Sequence, residues 1–498
     1  MNKFIVNSSI LIASSLLIRI LSSFFEIYIA NMIGATAVGI FGIIMSIYFL
    51  GVTLSTSGIH LATTKVLSEE LEKKNFGNVK KLIRRSLTYS LIMGCISYFL
   101  IILFTPYICD VCLKGKIDYI IIYILGLCLP FISLSSALNG YFLAIRKVLQ
   151  SSVCQITSQI IRIIIISVFL NAVLYRTLNY AILSLVLGAT ISEILYFVLL
   201  YLLYIKDSKK YNNESYNTGF NLTKNLLKIS VPIALTSYIR SFLSTLKQIL
   251  IPMRLKLSGM SYDIALANYG IITGMALPII MFSSVIVYSY SSLLVPEFSR
   301  YTINNKNHKM ENNICKLFKV TLYFSIAVTG ILMYFGNDLG NVLFTSPNVG
   351  YYIKITAPLI PLMYLDNVVD NILKGLGKQV SVMICNILDL VISVSFIYFL
   401  LPKFGTIGFV IVMYISEILN YTISVITLFK LTSLKFKYFE WVIFPMLAII
   451  FVIFINNIIN ISLKNSSLSL IINILITISM YVALIFIKRN CKNFVKIY

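Results

Sequence analysis

The stretch Phe4–Ile33, FIVNSSILIASSLLIRILSSFFEIYIANMI, carries only two charged side chains, Arg19 and Glu26. An apolar helix of about 20 residues crosses the roughly 30 Å hydrocarbon core of a bilayer. The stretch is longer than the apolar core of a signal peptide, and only Lys3 supplies positive charge before it. It is therefore predicted to be a first transmembrane helix rather than a cleaved signal.

Comparable apolar stretches recur along all 498 residues of the chain. Hydrophobic residues make up 58% of the sequence and charged residues 12%, and the mean hydropathy is +0.90. A soluble domain has about 25% charged residues. The pattern predicts an all-α polytopic membrane protein with about fourteen spans. This composition excludes a soluble enzyme or a nucleic-acid-binding protein.

The positive charges are unevenly distributed between the loops on the two sides of the predicted membrane. If both termini are cytoplasmic, 29 of the 41 Lys and Arg residues lie in cytoplasmic segments and eight lie outside. The positive-inside rule places such an excess in the cytoplasm. The sequence therefore predicts a multi-pass cell-membrane protein with both termini cytoplasmic, and the net charge of +23 follows from this topology.

Five charged side chains inside predicted spans are candidates for a binding cavity. A charge costs about 2.5–3.5 kcal/mol at a helix centre unless it faces a cavity or a partner. Four candidates are basic and one is acidic, which favours an anionic ligand. They are Arg19, Glu26, Arg162, Arg240 and Lys247. As an alternative, Arg19, Glu26 and Arg240 pair with one another and so tie helices together. Likewise, in this alternative Lys247 serves only to extend its amine to the membrane interface.

Asp366 and Asp370 form a second candidate site in the second half of the chain. They lie four residues apart, so they share one face of a helix. This face is suited to a coupling cation or proton. The alternative is that both acids pair with the lysines of the following turn, Lys374 and Lys378.

Catalytic and metal-binding motifs are not recognisable in the sequence. His60 and His308 are the two histidines, and the CxxC of Cys109 and Cys112 has no second pair to complete a zinc site. The segment GLGK, Gly375–Lys378, lacks the first glycine of a phosphate-binding loop. We expect no resident metal, no cofactor and no enzymatic activity, and we expect transport driven by ions or by the membrane potential.

The two halves of the chain show weak internal similarity. The charged pair of the first span has the same seven-residue spacing as Arg240 and Lys247 in the seventh span. An asparagine, Asn139 or Asn371, precedes a short basic turn later in each half. Chance similarity between Ile- and Leu-rich helices is the alternative. A true repeat with both halves starting in the cytoplasm is a parallel one.

Five segments of the sequence resemble the stage V sporulation protein B family. That family belongs to the polysaccharide-transport branch of the multidrug/oligosaccharidyl-lipid/polysaccharide exporter superfamily. The segments occur in the expected order and spacing. They are TLSTSG (Thr53–Gly58), NGYFLAIRK (Asn139–Lys147), GMALP (Gly274–Pro278), SSLLVPEFSR (Ser291–Arg300) and ILKGLGK (Ile372–Lys378).

The resemblance implies two six-helix bundles around a central cavity, working by alternating access. On this basis the chain is expected to comprise four parts. They are an N-terminal bundle in residues 1–205, a cytoplasmic linker in 206–228, a second bundle in 229–430, and two extra helices with a cytoplasmic tail in 431–498.

The first span, RILSSFFEIYIANMIGA (Arg19–Ala35), is also similar to that of the lipid II flippases. By this similarity Arg19 keeps a cavity arginine and Glu26 keeps an acid. Phe25 replaces a second arginine, and Gly51 with Val52 replaces an arginine pair of the second span. These departures weaken the case for lipid II as the cargo and leave a related isoprenoid-linked saccharide open.

The leading interpretation is therefore a flippase for isoprenoid-linked saccharide or peptidoglycan precursors, in spore cortex or cell-envelope assembly. Its partners are a lipid-linked saccharide, membrane lipids and a coupling cation or proton, with no nucleic acid. A cation-coupled multidrug exporter is the first alternative, although its cavity is expected to be acidic. A membrane polysaccharide polymerase or ligase is the second, although no predicted outside segment is long enough to suit one. A structural scaffold is the third.

Overall fold

A computed structural model of the chain describes residues 2–73, 75–173, 177–209, 222–303, 307–432, 434, 436–459 and 466–495. Seventeen α-helices and no strand are found within these ranges. Because lipid offers no hydrogen-bond partners, an apolar chain must satisfy its backbone groups within helices. The prediction of an all-α membrane protein is confirmed. Residues 210–221 of the predicted linker lie outside the described ranges.

The helices pack into two compact units. Unit 1 comprises Met1–Phe25 with Thr36–Met253, and unit 2 comprises Glu26–Ala35 with Arg254–Tyr498. The first eight helices are α1 (Asn2–Thr56), α2 (Ile59–Glu72), α3 (Phe76–Tyr107), α4 (Tyr119–Leu127), α5 (Leu129–Ala144), α6 (Val148–Val173), α7 (Leu178–Ser208) and α8 (Leu222–Lys256). The other nine are α9 (Tyr262–Gly270), α10 (Leu277–Phe282), α11 (Ser284–Ile303), α12 (Asn307–Leu343), α13 (Val349–Thr356), α14 (Ile360–Gly375), α15 (Gln379–Leu431), α16 (Phe444–Ile459) and α17 (Ser466–Val495).

Among the described residues, 11 helical stretches are long and apolar enough to cross a membrane. The longest two contain 60 and 53 residues. At 1.5 Å per residue they measure about 90 and 80 Å, well beyond one bilayer. Each has a non-helical glycine inside it, Gly34 (φ 79°) in α1 and Gly405 (φ 57°) in α15. Each stretch therefore covers two of the predicted spans, and the total of fourteen stays a prediction.

Prolines mark several of the helix boundaries inside predicted spans. Pro130 opens α5, and Pro278 opens α10 after a π-helical segment. Pro358 lies in the 3₁₀ turn between α13 and α14. Proline lacks an N–H group, so it is tolerated where a helix begins, because the first N–H groups have no intrahelical partner. Pro232 is different, because it lies inside α8.

A polar cluster surrounds Asp207 in unit 1, near the end of α7. The Lys147 ammonium forms an ion pair with Asp207, and the Tyr141 hydroxyl donates to the same carboxylate at 2.7 Å. Tyr141 and Asp207 are buried, at 0% and 6% exposure. The cluster joins the turn between α5 and α6 to the last turn of α7. A buried carboxylate needs such partners to offset its desolvation.

Unit 2 includes α16 and α17, which pack on α12. The Tyr481 hydroxyl of α17 donates to the Tyr323 carbonyl at 2.9 Å, and the Tyr323 hydroxyl donates to the Glu440 carbonyl at 3.0 Å. Gly330 of α12 allows close packing, because a Cβ there would lie 2.4 Å from Ile449 Cγ1. The two extra helices are therefore an integral part of unit 2.

The two basic turns noted in the sequence have the same backbone hydrogen bonds. In the first, the amides of residues 145, 146 and 147 donate to the carbonyls of 141, 143 and 142. In the second, the amides of 376, 377 and 378 donate to the carbonyls of 372, 374 and 373. Arg146 (φ 60°) and Gly377 (φ 76°) occupy the left-handed position of each turn. This shared helix C-terminal motif supports the internal repeat at these turns.

The division of the chain into two packed units does not coincide with the polar linker. Helix α8, which follows that linker, belongs to unit 1 up to Met253. Its Tyr238 hydroxyl donates to the Leu54 carbonyl and its Thr245 hydroxyl to the Ser46 carbonyl, both at 3.0 Å. Asn31 of α1 bonds the Leu343 carbonyl at 2.7 Å, which ties residues 26–35 to unit 2. The bundle boundaries drawn from the sequence remain a proposal.

Candidate functional site

Arg19 lies on a polar face of α1, away from the apolar surface of that helix. Leu17, Ile20 and Phe24 are exposed at 44%, 44% and 66%. At about 100° per residue they lie roughly 100–160° around the helix from Arg19. Exposed apolar stripes of this kind are the surface that lipid covers. Arg19 is half-buried, and Glu26, two turns later, is on the same face.

Arg240 has the same relation to the apolar surface of α8. Val231, Leu235 and Phe242 are exposed at 52%, 61% and 58%. They lie roughly 140–180° around the helix from Arg240. Arg240 is nevertheless exposed, and half-buried Lys247 shares its face. The contacts of Tyr238 and Thr245 with α1 hold the helix on either side of Arg240.

Arg162 is held near the first half of α1 by two polar contacts of α6. Gln159 Nε2 donates to Ser22 Oγ at 3.1 Å, and Ser14 Oγ donates to Ser152 Oγ at 3.2 Å. Arg162 follows Gln159 by about one turn. Arg162 is half-buried. Unit 1 therefore contains all four basic candidates, Arg19, Arg162, Arg240 and Lys247.

The acidic candidates lie in unit 2, where α15 supplies their neutral partners. Asn420 Nδ2 donates to Asp366 Oδ2 at 2.9 Å, and Asn386 Nδ2 donates to Asp370 Oδ2 at 3.3 Å. Asp366 is only 9% exposed. Lys374 is exposed, although it is near enough to act electrostatically on Asp366. Two asparagines, rather than lysines alone, therefore hold the acids predicted from the sequence.

A third carboxylate, Asp389 of α15, acts electrostatically on Asp366 together with Asp370. The Ser416 hydroxyl donates to Asp389, and the Ser393 hydroxyl donates to Ser416 Oγ at 2.9 Å. These serines and asparagines are not among the site residues predicted from the sequence. The sequence feature that could have identified them is a set of hydrogen-bonding side chains within an otherwise apolar stretch.

The positions where the chain departs from the lipid II flippases are tightly packed. Phe25 is 8% exposed. A Cβ at Gly51 would lie 2.7 Å from Ile101 Cδ1 and 3.0 Å from Leu129 Cδ1. A long basic side chain at Gly51 would therefore require the Ile101 and Leu129 side chains to move. The local packing agrees with the loss of basic residues from these positions.

Comparison with known proteins shows the family of the chain. Residues 4–302 match the polysaccharide biosynthesis protein family. The chain belongs to this family. It is similar to stage V sporulation protein B of Bacillus subtilis (strain 168), with 24% identity over 446 residues, 88% of this chain and 86% of the relative. It is also similar to lipid II flippase MurJ of the same organism, with 24% identity over 437 residues, 80% of this chain and 78% of the relative.

Two solved structures that resemble this chain are a flippase and a multidrug transporter. Lipid II flippase MurJ, in an inward closed conformation, matches with a TM-score of 0.70 and 16% identity, over 98% of this chain and 100% of that one. An inward-facing multidrug resistance MATE family transporter matches with a TM-score of 0.65 and 13% identity, over 84% and 95%. The chain thus has the fold of these multi-pass membrane transporters. The resemblance seen in the sequence is confirmed.

Proposed function

We propose that this protein is a flippase that moves an anionic, isoprenoid-linked saccharide or peptidoglycan precursor from the inner to the outer leaflet by alternating access. The observation that carries the proposal is Arg240, which is exposed within a membrane helix on the side opposite the apolar stripe. Arg19 has a similar placement in α1. The names of the relatives, a stage V sporulation protein B and a lipid II flippase, support cargo of this class and a role in envelope or spore assembly.

The basic residues of unit 1 suit a pyrophosphate headgroup. The planar guanidinium group of arginine binds phosphate oxygens in pairs. In a partly dehydrated site such charge-assisted contacts are stronger than in water. Arg19, Arg162 and Arg240 are therefore assigned to the headgroup, with Lys247 as a further contact. Glu26 is assigned to the substrate cavity as its acidic residue.

The cargo is proposed to differ from lipid II in its headgroup. Phe25 and Gly51 occupy positions where the lipid II flippases, by the sequence similarity above, carry arginines. Both positions are packed against neighbouring apolar side chains or helices. With fewer basic groups, the site is suited to a related isoprenoid-linked sugar.

Two energy sources are compatible with the charges. An inward-negative membrane potential favours outward movement of an anion by about 2.3 kcal/mol per charge per 100 mV. A cation or proton at Asp366 and Asp370 is the second source, because Asp370 and Asp389 both act electrostatically on the buried Asp366 carboxylate, which has the Asn420 amide as a neutral partner. We propose that this acidic site couples ion movement to transport. Both chain termini are proposed to be cytoplasmic, from the distribution of basic residues.

The direct test is to identify the lipid that accompanies the purified protein. The protein is extracted gently, and isoprenoid-linked sugars are measured by mass spectrometry beside an Arg19→Ala/Arg240→Ala control. Enrichment with the native protein and loss with the control is the expected result. The matching lipid is then tested for movement between leaflets in vesicles. Movement at the same rate with and without protein would contradict the proposal.

A cation-coupled multidrug exporter is the second candidate. The fold similarity to a MATE transporter and the acidic residues of unit 2 favour it. A cationic drug, however, would be repelled by the basic residues of unit 1. Export of cationic dyes that survives Arg240→Ala would favour this candidate over the flippase. A polymerase or ligase is not supported, because the relatives named above are transporters.

A further inference from the structure

Arg162 faces α7 within unit 1. Ser158 Oγ, one turn before Arg162, donates to the Ser192 carbonyl of α7 at 2.8 Å. Ile166, one turn after Arg162, packs so closely on Gly188 of α7 that a Cβ there would lie 2.2 Å from Ile166 Cγ1. Residues four apart share a helix face. Arg162 therefore lies between two fixed contacts with α7.

Glu193, which follows Ser192 in α7, is a carboxylate close to this position. Arg162 and Glu193 interact electrostatically, yet no hydrogen bond or direct ion pair joins these two described residues. Glu193 is half-buried. The exposed apolar residues Val198 and Leu202 lie roughly 140–180° around α7 from it. Glu193 thus faces the helices of unit 1 rather than the apolar surface.

The other titratable groups around Glu193 are neutral in their ordinary state. They are Tyr48 of α1, Cys128 between α4 and α5, Tyr196 of α7 itself, and Cys154 of α6 beyond it. Tyr48 and Cys128 are 7% and 0% exposed, and the Tyr196 hydroxyl donates to Asn139 Oδ1 at 2.8 Å. Within the described part of unit 1, Arg162 is therefore the charged group that acts on Glu193.

We infer that Glu193 is a proton-binding residue that controls whether the positive charge of Arg162 is available to bind an anion. The ionised carboxylate offsets the guanidinium charge, whereas a proton on a carboxylate oxygen leaves that charge available to an anion. This inference rests on the proposed function for the identity of the anion, a cargo headgroup. A nearby opposite charge changes the proton equilibrium of a carboxyl group by about tenfold or more, and the effect on the partner is reciprocal.

The test compares Glu193→Gln, a neutral mimic of the protonated acid, with Glu69→Gln on the exposed surface of α2. The full chain is reconstituted in vesicles, and cargo movement is measured over a series of pH values. We expect the wild-type rate to rise about tenfold or more as the pH falls through the titration. We expect Glu193→Gln to be fast at every pH and Glu69→Gln to follow the wild type.

Infrared difference spectroscopy provides a second measurement that does not need cargo. The band of a protonated carboxyl should titrate in the wild type and in Glu69→Gln and be missing in Glu193→Gln. If Glu193→Gln does not assemble, Arg162→Gln should move the pH at which the band titrates, and an unchanged titration overturns the inference.

The outcomes separate this inference from the proposed function. Transport with a wild-type pH profile in Glu193→Gln overturns the inference and leaves the flippase standing. A carboxyl band that depends on Glu193 and Arg162, without cargo movement at any pH, supports the proton site and contradicts the flippase.

Discussion

Units 1 and 2 carry opposite charges within their apolar helices. Within the predicted spans of unit 1, the basic candidates are Arg19, Arg162, Arg240 and Lys247, and Glu193 is an acid beside them. The acidic side chains of unit 2 are Glu26, Asp366, Asp370, Asp389 and Glu417. Each such charge costs free energy in hydrocarbon. This difference is the basis for the proposal that unit 1 binds an anion and unit 2 binds a cation or proton.

The same comparison extends to the repeated turns. Both have one hydrogen-bond pattern, but they are held differently. In unit 1, Lys147 of the turn is paired with buried Asp207 of α7. In unit 2, Lys374 and Lys378 are exposed. The backbone of the repeat is thus shared, whereas the side chains around it have diverged.

The largest effect is expected from removing the anion-binding charge of unit 1. Arg240→Ala should lower the rate of cargo movement by about 100-fold or more, since each hydrogen bond between charged groups contributes about 1.5–3 kcal/mol and arginine makes two. Arg240→Lys should recover part of the rate, because lysine keeps the charge without the paired geometry. The rate is measured with a fluorescent isoprenoid-linked saccharide in vesicles.

Lys256→Ala, at the exposed end of the same helix, is the matched control and should transport normally. Wild-type movement of cargo by Arg19→Ala/Arg240→Ala protein would remove the anion-binding role from unit 1, and the contrast between the units would lose its functional meaning.

The next effect concerns the ion pair that distinguishes the two turns. Lys147→Met should lower the free energy of unfolding by about 2 kcal/mol, because it removes the Lys147 ammonium from the ion pair with the buried Asp207 carboxylate. Thermal unfolding in detergent measures the loss. Lys206→Met, in the exposed last turn of α7, should have little effect, and Asp207→Asn should partly rescue Lys147→Met. Equal losses for Lys147→Met and Lys206→Met would contradict this account.

A smaller effect is expected from changing an acidic residue of unit 2. Asp366→Asn should reduce the dependence of transport on an imposed cation or proton gradient by about tenfold, because the amide cannot take up a proton or hold a cation by charge. Transport at fixed membrane potential, with and without the gradient, measures this. Asp338→Asn, at an exposed position of α12, should keep the dependence. If transport by Asp366→Asn depended on the gradient as fully as transport by the wild type, residues other than Asp366 would be responsible for the coupling.

The sequence predicts those features of the molecule that depend on local chemistry. Apolar length alone identifies the membrane helices, and the cost of an isolated charge identifies Arg240 and Asp366 as residues of interest. The turn after Asn371 could also be predicted, since Gly377 supplies the left-handed residue of a helix end.

Features that depend on helix packing could not be predicted in the same way. Hydropathy does not say which helix Tyr238 of α8 contacts, so the packing of α8 in unit 1 could not be predicted from the composition of the linker. Likewise, Asn420 lies far from Asp366 in sequence and reaches it only through the packing of α14 on α15. Helix association in membranes relies on such side-chain fits, which a single sequence does not display.

The smallest expected effect tests the backbone that the two units share. Gly377 has φ 76°, and a Cβ there would meet nothing within 4 Å, so Gly377→Ala changes only the backbone energy. A left-handed alanine costs about 1–2 kcal/mol, whereas asparagine tolerates this conformation better. Thermal unfolding should therefore show a loss for Gly377→Ala and a smaller one for Gly377→Asn. Arg146 adopts this conformation in unit 1 (φ 60°). The turn of unit 1 is therefore strained, whereas the glycine in the turn of unit 2 avoids that strain. Equal stability of Gly377→Ala and the wild type would show that the second turn does not need the left-handed residue, and would contradict a backbone motif shared by the two units.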